Sequence, residues 1–142
     1  KKIENFVGID LSEKMLTIAK DKNIYNRLVH SEANSALINE KKIYDLIISI
    51  DTFIYIGDLE AIFENIKKIS VTESFFIFTT EHYYGDRFKL NKSGRYSHSY
   101  DYIKKNLDIN SFKILNFEES RLRKEKGKWI NGGFYITKLE LD

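Results

Sequence analysis

The stretch Phe6-Val7-Gly8-Ile9-Asp10-Leu11-Ser12 decides the fold of this 142-residue chain. Its apolar residues predict a buried strand that ends at Asp10, and Ser12 is a residue type that caps helix N-termini. One face of the helix that follows is apolar and carries Met15, Leu16, Ile18 and Ala19. A strand, an acid and a capped helix in direct succession are typical of an α/β domain.

Apolar runs and helical patterns alternate along the rest of the chain. Three further strands are predicted at Leu28–His30, Leu46–Ile50 and Phe75–Phe78. The middle one is continuously apolar, which predicts a parallel strand covered on both faces. Between these strands the sequence predicts a weak helix or loop at Ser35–Lys42 and a helix capped by Asp58.

The C-terminal half has a different order of elements. Residues 83–98 form a polar connection, and Ser99 caps a helix. Two strands, Phe112–Phe117 and Phe134–Leu141, follow without a helix between them and are therefore expected to pair antiparallel. We predict a sheet that is mostly parallel, with an antiparallel C-terminal strand.

Composition excludes several classes of protein. Apolar residues make up 42% of the chain and the net charge is +2, so neither a disordered chain nor a nucleic-acid-binding protein is expected. There is no cysteine, which excludes thiolate catalysis and zinc–thiolate sites. Neither a membrane span nor a signal pattern is present, and we therefore expect a cytoplasmic protein.

Four consecutive strands end at or near an acid: Asp10, Glu32, Asp51 and Glu81. The carboxyl ends of parallel strands meet at the ligand-binding edge of such sheets. A carboxylate directly after a strand matches the two vicinal hydroxyls of a ribose, which makes Asp10 the most informative of the four. Acids are also common where loops and helices start, so each of the four could have a purely structural role. The pattern does not choose the cofactor either, because a nicotinamide dinucleotide and S-adenosylmethionine both present a ribose.

The chain resembles the class I S-adenosylmethionine-dependent methyltransferases. Residues 6–12, followed by the apolar helix, are similar to the second strand and helix of that family. The stretch Tyr44–Asp51 is similar to its fourth strand, and the final order strand, helix, strand, strand also agrees. A narrower resemblance, to methyltransferase domains behind tetratricopeptide repeats, rests on residues 55–59 and 93–99.

The resemblance implies a Rossmann-like sheet, S-adenosylmethionine as cofactor and a set of site residues. Asp10 would hold the ribose, and the adenine would lie beside Leu11, Met15, Glu32 and Ala33. The transferred methyl group would lie near Ser49, Ile50 and Asp51. The methyl acceptor is not specified, and a small molecule, a protein side chain or a lipid precursor are all allowed.

Two histidines have a side-chain pKa suited to removing a proton from the acceptor, His82 and His98. Tyr55 and Tyr96 are predicted to line the substrate pocket. A histidine in a polar loop is more often only solvated, and the charged run Lys124–Lys128 is most simply a solvated turn.

One part of the family pattern has no counterpart in this sequence. Its first strand and glycine-rich turn should precede Asp10, but only nine residues do so, and Gly8 lies within the strand. We therefore expect residues 1–142 to form one methyltransferase-like domain that lacks the first βα unit. Such a chain should bind S-adenosylmethionine poorly and self-associate through exposed strand edges.

Two other functions fit parts of the sequence. The first is a non-catalytic binding or assembly module that keeps the sheet but has lost the cofactor turn. The second is a nicotinamide-dependent oxidoreductase, which the antiparallel tail disfavours because such a domain would continue with parallel βα units.

Overall fold

The computed structural model describes residues 3–141, which form two compact units, one up to Lys41 and the other from Lys42 onward. The elements of the first unit are β1 (Val7–Asp10), α1 (Glu13–Asp21), β2 (Arg27–His30) and α2 (Ala33–Asn39). Strands β1 and β2 pair in parallel, with Asp10 opposite His30. Ser12 caps α1 as predicted, since its hydroxyl accepts a hydrogen bond from the Met15 amide.

The first unit has little buried apolar surface. Helix α1 contains no buried residue, and Met15 is 50% exposed. In α2 only Leu37 is buried. The apolar face of α1 was predicted correctly as a pattern, but in the structure much of it lies at the surface.

The second unit contains six strands, two α-helices and a 3₁₀ turn at Phe53–Tyr55. Its helices are α3 (Glu60–Lys68) and α4 (Tyr100–Ile109). Its strands are β3 (Tyr44–Ser49), β4 (Ser70–His82), β5 (Phe88–Leu90), β6 (Tyr96–His98), β7 (Phe112–Glu125) and β8 (Lys128–Leu139).

Strand β4 is the centre of this sheet. Strands β3 and β6 pair in parallel with successive parts of it, and β8 pairs antiparallel with it. Strand β7 extends the sheet beyond β8, and β5 pairs antiparallel with β6. The prediction of a mostly parallel sheet is therefore wrong, because most paired residues belong to antiparallel ladders.

Two hairpins explain the difference. The polar connection at residues 83–98 contains the β5–β6 hairpin, which the sequence analysis did not predict. The last two strands pair antiparallel as predicted, but they run to 14 and 12 residues instead of ending near Phe117 and starting near Phe134.

The core of the second unit lies on one face of β4. Phe76 and Phe78 point to this face and contact Phe53 and Phe63, with ring centroids 5.5 Å apart between Phe63 and Phe76. The opposite face carries exposed apolar side chains, among them Ile48 at 56% exposure. Leu46 and Ile48 both belong to β3, and they are 40% and 56% exposed. The prediction that β3 is covered on both faces is therefore wrong.

Beyond the last residue pair of β4 and β8, the β7–β8 hairpin continues as an arm, residues 121–131. The register of β7 shifts by one residue between Arg121 and Arg123, so that Arg121 lies opposite Asn131 and Arg123 opposite Ile130. Such a bulge places the two arginines on opposite faces of the arm. Arg121 lies 5.7 Å from the ring of Trp129, on the outer face.

Candidate cofactor and substrate site

Asp10 is held in place by the start of α1. Its Oδ1 accepts a hydrogen bond of 2.8 Å from the Ser12 amide, which fixes the carboxylate at the end of β1. The side chains of Leu11 and Met15, which belong to the same turn and helix, are exposed. Asp10 therefore stands beside accessible apolar side chains, a combination that suits a ribose and the base attached to it.

Glu32 has a structural role that the sequence analysis did not predict. Its carboxylate accepts hydrogen bonds from the Asn34 and Ser35 amides, both at 2.9 Å, and thereby caps α2. The hydrogen bond from the Asn34 amide, followed by the bonds from Ser35, lowers the pKa of Glu32. Ala33 is the first residue of α2. The predicted contact of Glu32 with an exocyclic amine stays a prediction.

In the second unit, the structure brings Asp51 and Glu81 to one guanidinium. Arg123 Nη1 lies 3.3 Å from Asp51 Oδ1, and Arg123 Nη2 pairs with Glu81 Oε1. Glu81 is buried, whereas the side chain of Asp51 is 55% exposed. Of the four strand-end acids, these two therefore share a partner.

Arg123 is the residue that sequence reasoning missed at this place. It directly precedes the charged run Lys124–Lys128, which was interpreted as a solvated turn, and it was not itself predicted as a site residue. The signal available in the sequence was Leu122, an apolar residue between Arg121 and Arg123, which indicates that part of this stretch faces other side chains.

The turn after β3 carries the residues predicted to lie near the methyl group. Ser49 ends β3, Ile50 is exposed, and Asp51 has a positive φ of 56°. The Asp51 amide donates a hydrogen bond of 3.1 Å to the Thr79 hydroxyl of β4. The turn is thus fixed to the neighbouring strand through its backbone.

His82 is half-buried at the end of β4. Its ring contacts Tyr84, with centroids 4.5 Å apart, and it lies 6.2 Å from the ring of Phe117. Its Nδ1 is buried without a hydrogen-bond partner among the described residues. The predicted role of His82 as a base therefore stays a prediction.

His98 is completely buried. Its Nε2 lies 2.9 Å from the carbonyl oxygen of Gly57 and is therefore the nitrogen that carries the proton. Burial lowers the pKa of His98, although the hydrogen bond to Gly57 acts in the opposite direction. The predicted role as a base stays a prediction, and the contacts favour a role in holding the loop at Gly57.

The two tyrosines predicted for the substrate pocket differ in environment. Tyr55, in the 3₁₀ turn, is 65% exposed. Tyr96 is half-buried on β6 and packs against Gly57, where a Cβ would come within 2.7 Å of its ring. Of the two, Tyr55 is the more accessible to a substrate.

Two kinds of site have no support in residues 3–141. No group of three or more histidine or acidic side chains there could hold a metal ion. Within the same residues, no helix has the length and apolar character needed to cross a membrane.

Both units thus belong to an α/β protein with acids at the ends of its parallel strands. Residues 1–78 match the family described as Methyltransferase domain, and the chain belongs to this family. No curated protein matches the sequence.

Solved structures with the same fold support this assignment. An S-adenosylmethionine-dependent methyltransferase from Methanosarcina mazei is 12% identical, with a TM-score of 0.73 over 96% of this chain and 82% of that chain. One from Clostridium acetobutylicum is 20% identical, with a TM-score of 0.71 over 97% and 76%. The N-methyltransferase NodS from Bradyrhizobium japonicum, solved with S-adenosyl-L-homocysteine, is 10% identical, with a TM-score of 0.71 over 96% and 67%.

The residues present fit one part of S-adenosylmethionine better than the other. Asp10 offers acceptors for the ribose, and Leu11 and Met15 offer apolar surface. Gly8, which lies in β1 two residues before Asp10, does not form a turn for the methionine portion. A Cβ at Gly8 would come within 2.8 Å of Leu28 Cδ2, so this glycine serves the packing of β1 against β2.

Proposed function

We propose that this chain acts in methyl transfer from S-adenosylmethionine to a nucleophile of a substrate. The observation that carries the proposal is Asp10, held at the end of β1 by the Ser12 amide. The family match and the S-adenosylmethionine-dependent enzymes that share the fold support the choice of cofactor. When bound, this cofactor supplies an electrophilic methyl group on a sulfonium, so that the protein has mainly to bind and orient.

The residues of the first unit would bind the nucleoside. Asp10 would accept hydrogen bonds from the ribose hydroxyls, and Leu11 and Met15 would cover the adenine. Glu32 and Ala33 would meet the edge of the base, provided that the carboxylate accepts a further hydrogen bond while it caps α2.

The residues of the second unit would serve the reacting end. Ser49, Ile50 and Asp51 would lie near the methyl group, and Tyr55 and Tyr96 would contact the acceptor. His82 is the better-supported base, because it is half-buried, whereas His98 is completely buried. The acceptor is a small molecule or a protein group of unspecified class, and the resemblance at residues 55–59 and 93–99 supports the subgroup that follows tetratricopeptide repeats.

The substitution Asp10→Asn tests the proposal sharply. An asparagine oxygen can still accept from the Ser12 amide, so that the turn is kept while the charge and one acceptor are lost. Losing charged hydrogen bonds to the ribose should weaken binding of S-adenosylhomocysteine about tenfold or more, measured by titration calorimetry. Asp21→Asn, at the end of α1, is the matched control. Equal affinities of Asp10→Asn and wild type would refute the assignment.

A second candidate is a binding module without catalysis. It is favoured by Glu32, whose carboxylate is already used to cap α2 through the Asn34 and Ser35 amides. In this case wild type would bind no S-adenosylhomocysteine, and Asp10→Asn would leave the unfolding midpoint and every partner interaction unchanged.

A further inference from the structure

The arm reaches the carboxyl end of β4 across an intervening strand. Glu81 of β4 pairs with Gly132 of β8, and Arg123 lies on the far strand, β7. A side chain at residue 132 would block this approach, since a Cβ there would come within 1.9 Å of Leu122 Cδ1. The glycine therefore lets side chains of the arm lie over β8.

The two contacts of Arg123 differ in environment. Its Nη2 pairs with Glu81, a buried carboxylate whose second oxygen lies 3.5 Å from Asn91 Nδ2. Its Nη1 pairs with the exposed carboxylate of Asp51. The buried contact orients the guanidinium, because a buried carboxylate needs a charged partner, and the oriented guanidinium then meets Asp51.

A second ion pair fastens the same arm. Glu125, two residues after Arg123, accepts a hydrogen bond of 2.9 Å from Arg95 Nη1, and Arg95 precedes β6. The inner face of the arm is thus tied to the sheet at two places, whereas Arg121 and Trp129 lie on its outer face.

We propose that Arg123 is a positioning residue for the carboxyl end of β3. By pairing with Asp51 and Glu81 together, it holds the turn at Asp51 in its left-handed conformation and fixes the arm over that end of the sheet. The link to methyl transfer rests on the proposed function, in which Ser49–Asp51 lie near the reacting methyl group. A turn held from two sides keeps such a site in one geometry before any ligand arrives.

Amide hydrogen exchange at Asp51, followed by NMR on the full chain, tests the proposal. Arg123→Gln should speed exchange at Asp51 about tenfold, because local opening is no longer opposed by the ion pair. Arg123→Lys should restore part of the protection, since it keeps the charge but loses the forked geometry. Arg121→Gln, on the outer face of the arm, is the matched control and should leave Asp51 unchanged.

A double substitution tests the pairing itself. In Asp51→Asn, the further change Arg123→Gln should add little to the exchange rate, since the partner is already lost. Unchanged protection of the residue 51 amide in Arg123→Gln overturns the proposal. So does a double variant in which Arg123→Gln speeds exchange as much as it does in the wild-type background.

Titration of the same samples with S-adenosylhomocysteine separates this proposal from the proposed function. Weaker binding by Arg123→Gln than by Arg121→Gln supports both. A wild-type chain that binds no S-adenosylhomocysteine but shows the expected exchange pattern supports the role of Arg123 and argues against the cofactor assignment.

Discussion

Arg123 on β7 and Glu81 on β4 form an ion pair even though β8 lies between their strands. Gly132, the residue of β8 that pairs with Glu81, lies against the side chain of Leu122, which precedes Arg123 on β7. A side chain at position 132 would therefore collide with the arm next to Arg123. The pair joins two stretches of the chain that the sequence alone gives no reason to connect.

Removing the carboxylate of Glu81 should destabilise the protein. Glu81→Ala leaves the largely buried guanidinium of Arg123 with the exposed Asp51 and, at 4.0 Å, with Glu125. We expect a loss of about 3 kcal/mol in the free energy of unfolding. Urea denaturation measures this loss. Glu118→Ala, at an exposed position on β7, should change stability by less than about 0.5 kcal/mol. A similarly small effect of Glu81→Ala would contradict the importance of the pair.

His98 should make stability depend on pH. Burial lowers the pKa of His98 in the folded state, so that the unfolded chain binds the proton more readily. Stability should therefore fall as the pH drops below the unfolded pKa of about 6.5 and towards the lower folded pKa.

The measurement for His98 is the urea midpoint as a function of pH. His98→Gln should flatten the dependence in this range, because the titrating group is gone. The exposed His30, replaced by Gln in the same way, should leave the slope in place. If the urea midpoint of His98→Gln depends on pH as strongly as that of the wild type, a group other than His98 causes the dependence.

Glu32→Ser separates the two roles of this residue. Serine is a good N-cap, so α2 should be retained and stability should change by less than about 1 kcal/mol. If the carboxylate also meets the base of the cofactor, S-adenosylhomocysteine should bind several-fold more weakly, as measured by calorimetry. Glu32→Ala should lose both functions. Unchanged affinity in Glu32→Ser would leave Glu32 as a helix cap only.

The exposed apolar face of β3 should promote association between copies of the chain. Ile48 is a large exposed apolar side chain on a strand, a feature that favours interaction with another surface. Ile48→Thr keeps a β-branched side chain and should lower the concentration-dependent increase in sedimentation coefficient. Ile109→Thr, at an exposed position on α4, should not. A wild-type chain whose sedimentation does not change with concentration would contradict the prediction.

Local signals in the sequence predicted the parts of the fold that depend on local chemistry. Ser12 and Ser99 cap α1 and α4 through their hydroxyl groups, as a helix start requires. The missing helix between the last two strands predicted their antiparallel pairing, and the structure confirms it. In each case a few adjacent residues carry the information.

The features that the sequence did not reveal depend on distant contacts. The β5–β6 hairpin lies in a polar stretch, where Tyr96 packs against Gly57, a residue distant from it in the sequence. Arg123 was not predicted as a site residue because its partners, Asp51 and Glu81, are 72 and 42 residues away. Glu32 was correctly picked out as an acid at a strand end, but its capping role depends on where α2 starts.

The bulge at Leu122 has a consequence for comparing this arm with those of other family members. The turn at Lys126-Gly127 places Glu125 opposite Lys128 and so Arg123 opposite Ile130, whatever the number of residues earlier in β7. If a relative lacks the residue equivalent to Leu122, an alignment numbered from the start of β7 would match Arg123 with a residue on the outer face of the arm. Counting back from the turn avoids this error, and the equivalent of Arg123 is then the fourth residue before the turn glycine.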